Sequence, residues 1–141
     1  MLKLIRRRFA RDQRGAALVE FAMIAPIFAL GVVLIGDTAT LVSRYFDMRA
    51  AVSSGSQYVM LGGTEVGVAR QVATQSWTSQ AQGSTVTATK ACICGTTANA
   101  CNVLCPDQSV PQAYYTIQAD STFQGALIST PLTAQQVVRV R

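Results

Sequence analysis

Four cysteines within fourteen residues, Cys92, Cys94, Cys101 and Cys105, form a C-x-C-x6-C-x3-C array. Two chemistries compete for them: thiolate coordination of zinc and oxidation to disulfides. Structural zinc sites favour C-x2–4-C pairs, often with histidine; this spacing departs from that pattern and the chain has no histidine. A catalytic thiol needs a base or cation beside it to lower its pKa, and Lys90 is thin support. In an oxidising compartment the expectation is two disulfides. The missing histidine also removes the commonest general base and the usual triads. The acids are scattered, and neither a glycine-rich strand-to-helix loop nor a metal-ligand cluster is present. The residues point to a non-enzyme that needs no cofactor and no metal.

The second chemical oddity is Glu20, the one charge between Ala16 and Gly36. Those 21 residues would span about 31 Å as a helix, close to the ~30 Å hydrocarbon core of a bilayer. A buried helix of a soluble domain is the competing reading, but the rest of the chain offers too little surface to cover it on every side. Residues 1–15 carry Lys3, Arg6, Arg7, Arg8, Arg11 and Arg14 against Asp12, whereas the remainder has six basic and six acidic residues. All the excess charge therefore flanks the apolar run on its N-terminal side, which predicts an N-in, C-out span. A nucleic-acid-binding domain would carry that charge on its folded part. An ordinary secretory signal has a shorter apolar stretch and a small-residue cleavage site beyond it, and nothing after Gly36 makes a convincing one. An uncleaved signal anchor fits the length and charges, yet gives no reason for Glu20 or for Gly15.

The stretch "RGAALVEFAMIAPIFALGVVLIGD" resembles the type III signal of type IV pilin-like proteins, most of all the TadE-like proteins of the tight-adherence (Flp-type) pilus. The likeness is specific over about residues 6–37 and general beyond. It rests on Gly15, the small Ala16, Glu20 as the fifth residue counted from Ala16, the neighbouring aromatic Phe21, and Pro26. The resemblance implies cleavage between Gly15 and Ala16 by prepilin peptidase, an aspartate-type membrane protease, which removes the leader 1–15 and leaves the span in the mature protein. It also implies that Glu20, with Phe21 beside it, serves subunit assembly by pairing with the N-terminal amine of a neighbouring subunit. A glutamate that merely snorkels to the headgroups is the alternative for that residue. Glycine before the scissile bond lets a protease approach the backbone without a Cβ clash. Pro26 deprives the Ala22 carbonyl of its helical donor and can kink the span. Gly31 and Gly36 miss the GxxxG spacing.

Beyond the span, Leu41, Tyr45, Met48, Val52 and Val59 recur at helical steps with a gap at Gly55, opposite Ser43, Arg44, Asp47 and Ser54. This predicts a stem helix over 37–60 that continues the transmembrane helix 16–36 and stops at "LGG" (61–63). Thr64 is placed to cap a second helix over about 64–80, with Val66, Ala69, Val72, Ala73 and Trp77 on its apolar face and Glu65 favourable to its dipole. Alternation then predicts strands at 84–92, 113–123 and 134–141, with Pro106, Pro111, Gly125 and Pro131 marking the gaps. The fold class is α+β: a long helix, a shorter helix and a small antiparallel sheet in a domain over 61–141, stapled by disulfides in the loop 92–105. Four cysteines permit three connectivities. Cys92 and Cys94 face the same way on a strand, so each is expected to pair with Cys101 or Cys105. If residues 95–100 form the turn, the pattern is nested, Cys94–Cys101 and Cys92–Cys105.

The function expected from this resemblance is that of a minor pilin or pseudopilin in tight-adherence pilus assembly, concerned with adhesion or secretion. The mature chain is longer than the family's major subunits, which favours the minor role. Its partners would be prepilin peptidase, other pilin and pseudopilin subunits and an inner-membrane assembly platform. It would lie in a bacterial inner membrane with its C-terminal domain outside. A signal-anchored binding domain that never polymerises is the alternative, and a secreted binding module comes third.

Overall fold

A computed structural model describes residues 14–140; the expected leader over 1–15 lies outside the described residues except for its last two positions, Arg14 and Gly15, which are helical. One helix, α1 (Arg14–Met60, 47 residues), runs unbroken through Pro26 and is about 70 Å long. Its first half is bare: Leu18 and Phe28 are 71% and 72% exposed. That half is long and apolar enough to cross a membrane or to act as a signal sequence. From Asp37 onward one face is covered, with Met48, Ala51, Val52 and Val59 buried and Leu41 and Tyr45 at the margin. The stem and the apolar run are thus one helix, as expected.

The stop after Met60 is a Schellman motif. Gly63 N–H donates to the Tyr58 carbonyl at 3.0 Å and Gly62 N–H to Val59 at 3.1 Å. Gly62 has φ +98°, a conformation glycine adopts without a Cβ penalty. Helix α2 (Val66–Ser76) is shorter than the predicted 64–80. Thr64 does not cap it: Glu65 occupies the N-cap position without a side-chain bond, and the Thr64 carbonyl instead accepts the Tyr115 hydroxyl at 3.2 Å. Trp77 lies just past the helix, yet it is buried in the core as its place in the apolar pattern requires.

Four strands follow: β1 (Thr85–Cys94), β2 (Thr97–Asn99), β3 (Gln112–Gln124) and β4 (Ser129–Val140), all antiparallel in the order β2-β1-β3-β4. Three were expected. The short β2 forms because the chain reverses at Gly95 (φ +63°) and pairs with the end of β1. The last strand begins five residues before the expected Ala134 and contains Pro131, paired with Thr122. Proline is tolerated there because β4 is an edge strand, where a missing N–H costs no ladder bond.

The two helices cover one face of this sheet. Tyr115, Ile117, Ala119 and Phe123 of β3 are buried towards them, with Val86 and Ala88 of β1 and Ala134 and Val138 of β4 alongside. The other face is a field of threonine and glutamine, the one-sided pattern of a solvated antiparallel sheet. Strand β3 runs down α1 in the opposite sense. Ile117 lies by Gly55, Arg44 stands 5.7 Å from the Phe123 ring centroid, and Gly125 abuts Asp37. The eighteen helical steps from Asp37 to Gly55 rise about 27 Å and the eight extended steps from Ile117 to Gly125 about 26 Å, so the two elements stay in step.

Candidate functional site

The residues singled out for chemistry fall into two groups at opposite ends of the molecule. Gly15, Glu20 and Phe21 are all exposed on the first two turns of α1. Among the described residues, nothing outside its own stretch of helix lies within 4 Å of where a Cβ on Gly15 would stand. Glu20 is four residues beyond Ala16, one helical turn and about 6 Å of rise. Pro26 lies a further turn and a half along, inside the helix. The bare half of α1 therefore presents an apolar cylinder bearing one carboxylate close to its start.

The cysteines sit beyond the other end of the stem, on the sheet corner where β1 and β2 meet. All four are oxidised, in the pairs Cys92–Cys101 and Cys94–Cys105. The nested pattern expected from a turn over 95–100 is not formed. With reversal at Gly95, Cys94 pairs in register with Thr97 and Cys92 with Asn99. Cys101, two residues past Asn99, thus arrives beside Cys92 rather than Cys94. Cys105 then folds back to Cys94, held by its N–H to the Ser109 carbonyl at 2.9 Å. Asn99 braces this corner, its Nδ2 donating to Cys94 Sγ at 3.1 Å and to the Val103 carbonyl at 3.0 Å.

Between these ends, two aspartates that the residue pattern did not single out fasten the domain to the stem. Asp37, buried although it ends the apolar run, accepts three backbone N–H bonds from the β3–β4 turn: Ala126 at 3.0 Å, Leu127 at 2.7 Å and Ile128 at 3.1 Å. The Leu127 amide first, then those of Ala126 and Ile128, hold its carboxyl below the ordinary aspartate range, against the opposing pull of burial. The contact is close: a Cβ on Gly125 would stand 2.6 Å from Asp37 Cγ. Ten residues further up, Asp47 accepts the Ser79 N–H at 2.7 Å and the Thr78 hydroxyl at 3.0 Å, fixing the chain as it leaves α2. The signal that could have found Asp37 is its position as the first charge after a long apolar run. Its partners, some ninety residues away, were not readable.

Among the described residues no three His, Cys, Asp or Glu side chains converge on a possible metal site. The cavity lined by Met48, Trp77 and Phe123 has a volume of only about 10 Å³, room for one water at most. A wider cleft between α2 and β1 is open and lined by Arg70, Gln71, Gln75 and Gln80, among others; it presents no carboxylate and no nucleophile paired with a base. The most chemically distinctive surface is the bare half of α1 with Glu20. No family model matches the chain, and no curated protein or solved structure matches it.

Proposed function

We propose that this chain is a pilin-like assembly subunit: a minor pilin or pseudopilin of the tight-adherence type, inserted N-in and C-out and cut between Gly15 and Ala16. One observation carries the reading. A single unbroken helix has a naked apolar first half, with a carboxylate one turn from the cleavage junction, and a second half that bears a docked domain. A lone membrane anchor needs only the apolar half, with no acid in it. A carboxylate at a span's centre costs about 2.5–3.5 kcal/mol on insertion scales, and less near the interface, so its presence calls for a partner. Cleavage creates one, because the freed α-amine of Ala16 has a reference pKa of about 7.7–8.0 and is mostly protonated at neutral pH. An adjacent subunit, displaced by about one turn along the helix, brings its own amine to Glu20. Cleavage also removes the leader's excess positive charge, each residue of which holds the anionic leaflet by about 1 kcal/mol, and so eases extraction into a bundle. Prepilin peptidase, sister subunits and an inner-membrane platform are the partners this requires.

Sequencing the N-terminus of the protein from its native envelope tests the reading. Ala16 is expected; Met1 would indicate an anchored domain that does not polymerise, and a residue beyond Gly36 a secreted one. Glu20→Ala is expected to insert and to be processed normally, yet to be lost from filaments. Unimpaired incorporation of that variant would remove the role given to Glu20.

A further inference from the structure

We infer that the β3–β4 turn, Gly125–Ile128, is a second membrane contact, seated at the outer hydrocarbon–headgroup boundary with Leu127 in lipid. The inference rests on the reading of residues 16–36 as a span. In that case Asp37, the residue after the apolar run, lies about 31 Å of helix from Ala16, at the outer edge of a ~30 Å core. The turn lies at the same level, because its amides close on the Asp37 carboxylate. It points the same way as well, since β3 descends the stem from Ile117 beside Gly55 to Gly125 beside Asp37.

The N–H groups of the turn suit a place at the edge of the lipid. Exposed N–H groups are excluded from hydrocarbon unless they are satisfied within the protein. Here all four donors are occupied: Gly125 N–H bonds the Ile128 carbonyl at 2.8 Å, and the next three bond Asp37. A surface turn in water has no need of this, because solvent would serve the same donors. The side chains agree. From Gln124 to Thr130 there is no charged residue, and Leu127 is 52% exposed at the tip. The nearest cation along the stem, Arg44, is rooted about 10 Å higher on the helix, with its guanidinium carbon 5.7 Å from the Phe123 ring centroid. The domain is thereby held upright by two points, helix and turn, rather than swinging on one.

The test places tryptophan reporters in the full chain, reconstituted in vesicles of phosphatidylcholine with brominated acyl chains. The native Trp77 is buried in the domain core, so the wild type supplies the baseline. F28W, near mid-span, reports on the anchor, and L127W on the turn. The expected result is loss of the added emission for both, L127W being quenched more by bromines near the headgroup and F28W more by bromines near the chain ends. D37A in the L127W background is expected to lose part of its quenching as the turn is released. Quenching of F28W with a red-shifted, unquenched L127W overturns the inference and leaves the span standing. A blue-shifted but unquenched L127W whose shift fades on dilution of protein in lipid also overturns it, because the turn then meets a second copy of the chain. Absence of quenching at both positions removes the span, and the inference with it.

Discussion

Replacing Gly55 by alanine sets two effects of known sign against each other. In the interior of an unconstrained helix the change is favourable by about 1 kcal/mol, because glycine loses more backbone entropy on folding. At Gly55 the added Cβ would stand 2.8 Å from the Ala69 carbonyl oxygen, 3.0 Å from Ala73 Cβ and 3.1 Å from Ile117 Cδ1. The isoleucine methyl can rotate aside. The Ala69 oxygen belongs to the backbone of α2, so relief requires the whole helix to lift off the stem. Overpacking of this kind costs about 1–3 kcal/mol. The clash wins, and the net loss is up to about 2 kcal/mol. With about 4–8 °C of melting temperature for each kcal/mol in a domain of this size, the midpoint should fall by several degrees. Thermal unfolding of the full chain in detergent, followed by Trp77 fluorescence, reads it directly. Gly67→Ala on α2 is the matched control, since nothing lies within 4 Å of its new Cβ; its melting point should hold or rise. If Gly55→Ala melts as high as the control, the close crossing of α1 and α2 is wrong, and with it the account of how the domain is fastened to the stem.

Acid should loosen the lower clamp. Asp37 has a depressed folded pKa, so its contribution is fully present above the unfolded value of about 3.9 and is lost as pH falls through the lower folded value. Domain stability should therefore fall below about pH 4, and the protection of the Ala126–Ile128 amides from hydrogen exchange, relative to the unfolded chain at the same pH, should fall there. Asp37→Asn should remove part of that acid dependence; Asp47 and Asp107, also depressed, retain the remainder. An unchanged acid profile in the variant would contradict the clamp. Peptide mapping without reduction should recover Cys92–Cys101 and Cys94–Cys105, and either other pairing would refute the reversal at Gly95. Replacing Cys92 and Cys101 together by serine opens a loop of sequence separation 9 and should cost about 3 kcal/mol on the chain-entropy account, measured as a drop in the same unfolding midpoint.

The two aspartate clamps give the molecule a mechanical character that its elements alone would not have. A four-stranded sheet of this size is near the lower limit of independent stability. Here it is held along the stem by buried apolar contact from Met48 to Val59, by Asp47 at the α2 exit, and by Asp37 at the foot. Displacement of α1 along its own axis therefore carries the domain with it, as a subunit lifted from a membrane into a filament would require.

Much was readable from spacing alone. The apolar run and the stem follow from composition and a three-to-four-residue period, and the stop at Gly62 from the one residue type that takes its φ without strain. Alternation over 113–123 identified β3 almost to its ends, and cysteine density without histidine indicated two disulfides. These features are local, each set by neighbours a few residues apart. The rest was decided by contacts between distant segments. Gly55 interrupts the periodic pattern, and only the approach of α2 explains the interruption. Pro131 reads as a break until the strand order places it on an edge. The pairing of the cysteines turned on a reversal two residues long rather than six. Asp37 finds its partners some ninety residues on, where the donors are backbone amides that carry no side-chain signature. Periodicity records which face an element must bury, whereas the identity of what covers that face depends on how far the chain travels before it returns.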